Sequence, residues 1–161
     1  MDCNFGDVAI APNGAVVQAC QFPVPGPQGG TIFVSTDTDG LGPGGFGPVV
    51  AATTTNVGAV DYIPAQNSKG IDAEAGLAFD TDSASPHFGR LYLVYTDTKQ
   101  NRKQDTDIML RFSDTLGETW SAPIRVNDDD ALLVRSQFLP RIAISPQSGN
   151  IAICWHDARN S

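Results

Sequence analysis

The chain has 161 residues, a formal net charge of −8, sixteen glycines and eleven prolines. This length is enough for one domain with a hydrophobic core. The acidic balance argues against a nucleic-acid partner, because carboxylates repel a phosphate backbone. No apolar run approaches the roughly 18 residues that a membrane span needs, so no membrane partner is expected. Short β-rich runs between Gly and Pro, without a helical 3.6-residue period, predict an all-β fold.

Three segments of the chain share one pattern: a short run in which apolar residues alternate with others, followed by a polar turn. The runs contain Ala9, Ala78 and Ala143, which recur at steps of 69 and 65 residues. Self-similarity at a nearly fixed period is the sequence signature of repeated small sheets. Each turn is followed by a β-rich run, at 15–20, 91–97 and 151–157.

These repeats divide the chain into units. Unit one covers 5–56 and unit two covers 73–127, and each contains β-rich runs for four antiparallel strands. A linker at 57–72 separates the two units. The third unit, at 137–161, holds the first two strands of the same pattern. Residues 1–161 are therefore predicted to form a single domain of about two and a half units.

A polar turn in unit two carries the most specific motif of the chain. It runs from Ser113 to Trp120 and reads Ser-Asp-Thr-Leu-Gly-Glu-Thr-Trp. This turn resembles the Asp-box, or BNR repeat, of sialidase-like β-propellers, whose pattern is Ser-x-Asp-x-Gly-x-Thr-Trp. Gly117 and Thr119 also match the pattern, whereas the Asp stands one place early, at Asp114.

Unit one contains a second, stretched version of this turn. Ser35 and Asp37 match the box, Phe46 stands in for the Trp, and extra glycines lengthen the turn. In the family, side-chain oxygens of the box hold the amides of an outer hairpin, and the Trp packs between blades. The resemblance therefore implies a partial β-propeller of antiparallel four-stranded blades with Asp-box hairpins.

The resemblance also implies an activity. We expect a sialidase-like hydrolase that acts on glycosides or related sugar-derived substrates, whether small molecules or glycans. The family's Tyr nucleophile paired with Glu has no convincing counterpart, because the only glutamates are Glu74 and Glu118. The family further suggests a secreted or periplasmic protein, although no signal peptide is visible in this chain.

Candidate catalytic residues lie where the second strand of each unit ends, because the inner strands of such propellers border the central channel. Aligned on the turn glycines, these ends carry Asp97 in unit two and His156 and Asp157 in unit three. His156 or Asp157 could activate water. Asp97 and Asp157 form the best carboxylate pair for glycosidase chemistry.

Substrate-binding candidates surround these residues. Arg141 and Arg159 could hold an anionic group, since a planar guanidinium bonds both oxygens of a carboxylate. Trp155 supplies an aromatic surface. In the alternative interpretation, Asp157 and Arg159 form a loop salt bridge and Trp155 packs between blades.

Calcium is the cofactor that the acidic loops suggest. Asp37 and Asp39 have the alternate spacing and the following Gly of a Ca²⁺ loop, and another loop would have to supply further ligands. The same acids could instead serve turn formation and solubility. Bound Ca²⁺ would favour a second function, a Ca²⁺-dependent lactonase or esterase. A third is a non-catalytic module that binds glycans or proteins.

The cysteines and the open strand edges indicate which metals, disulfides and protein partners to expect. The odd number of cysteines and their spacing predict no zinc site. Cys3 and Cys20 could pair in an exported protein, whereas Cys154 lies in an apolar strand and is expected in the core. Fewer than three blades cannot close a ring. We therefore expect either self-association or a longer propeller chain of which these residues are a part.

Overall fold

The computed structural model describes residues 3–23, 29–58, 60–99, 105–130 and 134–160. In these ranges the regular secondary structure is entirely β, and no helix there could span a membrane. The strands are β1 (Asn4–Ile10), β2 (Val16–Pro23), β3 (Gly30–Asp37), β4 (Val50–Thr55), β5 (Asp61–Ile63), β6 (Gln66–Ile71), β7 (Gly76–Phe79), β8 (Leu91–Thr98), β9 (Thr106–Ser113), β10 (Ile124–Arg125), β11 (Gln137–Ile144) and β12 (Ile151–Asp157).

The strands form four antiparallel sheets. Sheet one has the order β1-β2-β3-β4, and sheet two has the order β10-β9-β8-β7. Sheet three pairs β11 with β12, and a small sheet pairs β5 with β6. The all-β prediction is confirmed, and sheets one to three fall at the three repeat units. The small sheet occupies a stretch that the sequence marked only as a linker.

Strand β8 illustrates why these segments form sheets. Its sequence, LYLVYTDT, is rich in aromatic and branched residues, and all but one of its residues are buried. That pattern is typical of a strand covered on both faces. Leu91, Leu93 and Tyr95 point to one face, as alternate residues of a strand do, and contribute to the main core.

Sheets one and two pack face to face around this core. Sheet one contributes mostly small side chains and sheet two mostly large ones, so the two layers fill the space between them. The buried residues are Val17, Ala19, Ile32, Val34 and Ala52 from sheet one, and Leu77, Phe79, Leu91, Leu93 and Tyr95 from sheet two. A second cluster joins the small sheet to sheet three through Val57, Ile63, Ile71 and Phe138.

The first strands of the three larger sheets are neighbours. Strand β1 lies against β7, and β7 lies against β11. These contacts do not include backbone pairing, because the strands belong to separate hydrogen-bonded sheets. The first strands of these three sheets are therefore packed in the order β1, β7, β11.

The turn from Ser113 to Trp120 is closed by hydroxyl groups. Ser113 Oγ accepts hydrogen bonds from the amides of Thr115 and Gly117, at 3.2 and 2.9 Å. Thr115 Oγ1 accepts one from the amide of Thr119, at 2.9 Å. A threonine hydroxyl therefore acts at the place where the Asp-box pattern has a carboxylate.

Asp114 takes no part in closing this turn. It is exposed, and its carboxylate pairs with Arg90 at 2.7 and 2.9 Å. The turn is anchored on sheet one, because Thr36 Oγ1 donates to the carbonyl of Leu116 at 2.8 Å. Trp120 packs against the core between sheets one and two, as the motif predicts.

The stretched turn of unit one differs from its prediction. Ser35 Oγ donates to the carbonyl of Gly47 at 2.8 Å, so the serine does hold the turn. Phe46, however, is 40% exposed and is absent from the described hydrophobic clusters. The expectation that it replaces the tryptophan was wrong, because the glycine-rich excursion carries it out to the surface.

The cysteines are divided between one disulfide and one free thiol. Cys3 and Cys20 are bonded, which confirms the pairing considered from the sequence and ties the residue before β1 to β2. Cys154 is free and exposed, so the prediction of a core position was wrong. Its strand, β12, is apolar in sequence but hydrogen-bonds only to β11 among the described strands.

Candidate functional site

A cleft of about 260 Å³ opens where β1, β7 and β11 meet. We call it the junction cleft. Two of its glycines pack too tightly against the neighbouring strands to carry a side chain freely. A Cβ on Gly6 would overlap the carbonyl oxygen of Ala19, and one on Gly76 would lie 3.1 Å from Val94 Cγ1. Its lining residues are Gly6, Asp7, Glu74, Ala75, Gly76, Arg141 and Ile142.

The segment before β7 is fixed from both sides. The Ala73 amide donates to Gln21 Oε1 at 2.9 Å, and the Ala73 carbonyl accepts from the Thr96 amide at 2.8 Å. Gln21 is fully buried, and its Nε2 donates to the carbonyls of Val57 and Gly58 at 2.9 and 3.2 Å. These bonds hold the residues that flank Ala73 in one position.

Asp72 and Glu74 flank Ala73 and bring two carboxyl groups to this place. The Glu74 amide donates to Asp72 Oδ1 at 2.6 Å. Glu74 adopts a left-handed backbone conformation, with φ of 45°. Its Oε1 accepts a 2.6 Å hydrogen bond from the guanidinium of Arg141, which reaches across from β11. The Arg141 side chain remains 64% exposed.

Burial raises the pKa of Asp72 to about 7. The hydrogen bond from the Glu74 amide opposes this rise, the nearby Glu74 carboxylate adds to it, and the charge of Arg141 opposes it. A carboxyl group with this pKa can both give and take a proton near neutral pH. Perturbed carboxyls of this kind are concentrated at functional sites.

Asp7 lines the cleft from β1. Its Oδ1 accepts a hydrogen bond from the Val8 amide, and its Oδ2 accepts one from the Leu77 amide of β7, both at 2.8 Å. The second bond joins two strands of different sheets. Asp7 therefore holds the cleft together and also presents a carboxylate to it.

Of the residues predicted from the sequence, Arg141 is the one that lines this cleft. Asp97 lies at the end of β8, where its Oδ1 accepts hydrogen bonds from Thr55 Oγ1, from the amide and side chain of Asn56, and from the Thr98 amide. These bonds, between 2.7 and 3.3 Å, tie β8 to the end of β4. Such a bonded carboxylate suits a structural role.

Asp157 is bonded to a different set of residues. Its carboxylate accepts hydrogen bonds from Gln137 Nε2 at 3.2 Å and from the amide and Nε of Arg159 at 2.9 and 2.7 Å. Burial opposes ionisation of Asp157, but these bonds outweigh it and lower its pKa. Arg159 also pairs with Asp128 at 2.8 Å. This geometry agrees with the loop salt bridge considered above.

Two further candidates, His156 and Trp155, lie on strand β12. The ring of His156 stacks on Phe138, with centroids 5.4 Å apart and planes 15° from parallel. Trp155 is half-buried, and its Nε1 is buried without a hydrogen-bond partner among the described residues. Within the described ranges, Asp97 and Asp157 have different hydrogen-bonding partners, and their assignment as a catalytic pair stays a prediction.

The aspartates proposed as calcium ligands are held by the stretched turn. Asp37 Oδ1 accepts from the Asp39 amide at 3.2 Å, and Asp39 Oδ2 accepts from the Gly44 amide at 3.0 Å. A hydrogen bond between the two carboxyl groups raises the pKa of Asp37 and lowers that of Asp39. The described residues contain no group of three or more His, Cys, Asp or Glu suited to a metal. The calcium prediction therefore rests on sequence spacing.

A second cavity, of about 380 Å³, lies between the two Asp-box-like turns. Its walls come from β3, the glycine-rich loop and the turn at Leu116–Glu118. Glu118 is its only ionisable lining residue, so it lacks the paired carboxyls of the junction cleft.

Sequence reasoning missed Asp7, Asp72 and Glu74. Asp72 fell in a supposed linker, and Glu74 was considered only as a partner for a tyrosine. The alternating acids of Asp-Ala-Glu directly before a strand were the signal available, since alternate residues share a face of an extended chain.

Comparisons with known proteins give little similarity. No family model matches the chain, and no curated protein matches it. A solved structure of a protein of unknown function from Dyadobacter fermentans DSM 18053 is 13% identical to this chain, with a TM-score of 0.39. The match covers 98% of this chain, which spans 63% of the length of that one. Similarity at this level carries no argument about function.

Proposed function

We propose that the chain is a propeller-type hydrolase that acts on glycosides, with the junction cleft as its substrate site. The arrangement of the sheets supports the propeller part of this proposal. The first strands of sheets one, two and three are neighbours, and the Asp-box turn of sheet two packs on sheet one. In a propeller, blades are repeated around an axis with their first strands innermost. The junction cleft would then open at that axis.

The observation that carries the proposed chemistry is the carboxyl pair. Asp72, with a pKa of about 7, lies beside Glu74, which lines the cleft. Two neighbouring carboxyls, one protonated and one ionised, can take a proton from water and return one to a leaving group. Glu74 would transfer protons at the cleft, and Asp72 would act behind it as a positioning residue. Asp7 would stabilise positive charge that develops on the sugar ring.

The charges of the cleft favour an uncharged sugar. Arg141 is already paired with Glu74, and Arg159 with Asp157 and Asp128. The carboxylates of Asp7 and Glu74 would repel an added substrate carboxylate, and their oxygens can accept hydrogen bonds from sugar hydroxyls. A neutral glycoside therefore suits the cleft better than a sialoside.

A panel of fluorogenic substrates tests the proposal: neutral glycosides, a sialoside and an N-acyl lactone, each with and without EDTA. We expect turnover of a neutral glycoside that EDTA does not reduce. Glu74→Gln should lower kcat by about 10²- to 10⁴-fold, the usual contribution of a general acid–base group. Glu118→Gln is the matched control, since that glutamate lies exposed in the Asp-box turn, and it should leave kcat unchanged.

Other results would favour the other functions. Lactone cleavage that is lost with EDTA would support the Ca²⁺-dependent lactonase. Binding on a glycan array without turnover of any substrate would support the non-catalytic module. Equal kcat values for the wild type and Glu74→Gln would exclude the junction cleft as the catalytic site.

A further inference from the structure

Strand β12 forms an open edge of sheet three. Among the described strands, its only hydrogen-bonded neighbour is β11. Five of its seven residues are exposed, and only Ile153 and Trp155 are half-buried. Its sequence, IAICWHD, contains no Pro or Lys, the residues that commonly protect such an edge. An apolar, unprotected edge is a template for pairing with another strand.

The free backbone groups of this edge can be assigned from its pairing with β11. The Ser145 amide donates to the Asn150 carbonyl at 2.9 Å, and the Ala158 amide donates to the Ser136 carbonyl at 3.0 Å. The register shifts between Phe138 and Arg141, where β11 has one residue more than β12, so the alternation along β12 is kept. Even-numbered residues of β12 therefore turn their peptide groups to β11. The odd-numbered residues turn theirs outward; these are Ile151, Ile153, Trp155 and Asp157.

We infer that β12 pairs antiparallel with β12 of a second copy of this chain, around a two-fold axis at Cys154. Cys154 is the central residue of Ile151–Asp157, so this register uses the whole strand. It joins two copies of sheet three into one four-stranded sheet, the size of sheets one and two. The inference does not depend on the proposed glycoside chemistry.

The register is self-complementary. Ile153 faces Trp155 of the second copy, and the symmetric pair repeats this contact, which is a favourable cross-strand combination. The outward backbone groups of these residues meet as hydrogen-bonded pairs. Asp157 faces Ile151, so no like charges are directly opposed, and Arg159 already neutralises Asp157 at 2.7 Å. These features favour a second copy over a strand of unrelated sequence.

Cys154 provides a specific readout of this arrangement. On the axis it would face Cys154 of the second copy as a non-hydrogen-bonded pair, for which Cα atoms lie about 4.5 Å apart. That distance is within the range of a disulfide. Cys154 is exposed and free, while the other two cysteines are bonded to each other. An exposed, unpaired cysteine in a disulfide-bonded chain is consistent with an intermolecular contact.

The test is sedimentation equilibrium of the wild type and two proline variants. Ile153→Pro removes an outward N–H, so the monomer loses no bond within sheet three, while the dimer loses one bond per copy. We expect its dimer dissociation constant to rise by about 30-fold or more. Ile10→Pro is the matched control. Its N–H also points away from its sheet partner, because the Ala11 amide pairs with Ala15, and its dimer should be unchanged.

Cross-linking with diamide gives a second readout. The two Cys154 thiols lose two protons and two electrons to diamide and form one S–S bond. We expect a covalent dimer on non-reducing electrophoresis, and none with Cys154→Ser, which should still dimerise by sedimentation. The inference would be overturned by a wild type that stays monomeric, or by a dimer that Ile10→Pro dissociates and Ile153→Pro does not. A dimer that diamide fails to cross-link would also overturn it. Circular dichroism of Ile153→Pro establishes that it is folded.

Discussion

Asp72 takes its chemistry from residues that are distant in the sequence. It is 8% exposed because Gln21 and Thr96 hold the neighbouring Ala73 against the sheets. The carboxyl is therefore poorly solvated, and its charged form is disfavoured. A residue pattern can mark Asp72 as an acid, but only the fold buries it. This is why the sequence predicted Arg141 at the site and missed both Glu74, which Arg141 contacts, and Asp72 beside it.

The raised pKa of Asp72 links stability to pH. The folded pKa of about 7 lies above the ordinary value of 3.8, so the folded chain keeps a proton that the unfolded chain has lost. The contribution of Asp72 to the free energy of unfolding is thus largest below pH 3.8 and falls as pH rises towards 7. Asp72→Asn should remove this contribution. Urea unfolding of both proteins across this range measures it, and parallel pH dependences would contradict the assignment.

Asp97 is expected to stabilise the fold through its four hydrogen bonds. Asp97→Ala should lower the free energy of unfolding by about 2 kcal/mol, because it leaves the Asn56 amide without its acceptor at the end of β4. Asp128→Ala removes an exposed ion pair and should cost less than about 1 kcal/mol. Chemical denaturation compares the two. An Asp97→Ala variant as stable as Asp128→Ala would show that these bonds contribute little.

The elements of the fold were predictable to different degrees. Strands such as β8 could be predicted from the sequence, because a long run of branched and aromatic residues is typical of a strand that is buried on both faces. The small sheet of β5 and β6 was missed because its strands are short and mostly polar. Strand β12 reads as a core strand, yet it is an edge, since composition does not reveal which neighbours a strand has.

The Asp-box-like turn keeps its shape although hydroxyl groups, and not a carboxylate, accept the hydrogen bonds of its amides. Ser113 Oγ is buried and accepts two amide hydrogen bonds, so Ser113→Ala should cost about 1–2 kcal/mol. Asp114→Ala should cost less than about 1 kcal/mol, because Asp114 only pairs with Arg90 at the surface. Thermal and urea unfolding distinguish these variants. A larger loss from Asp114→Ala would mean that the carboxylate, not the hydroxyls, closes the turn.

At the scale of the whole molecule, the important feature is the meeting of three first strands. Asp7 of β1 bonds the Leu77 amide of β7, and Arg141 of β11 bonds Glu74 before β7. The same contacts that join the sheets therefore shape the junction cleft. The periodic spacing of the repeats predicted the sheets, but their mutual packing depends on side chains and glycines that no period reveals.

The pH dependence of glycoside turnover tests the central claim most directly. We predict that kcat of the wild type on a neutral fluorogenic glycoside falls as pH rises through about 7, because Asp72 then loses its proton and becomes a second negative charge beside Glu74. Asp72→Asn should have a lower kcat without an inflection near that pH. A wild-type kcat that is constant through neutral pH, or an Asp72→Asn profile with the same inflection, would contradict the account.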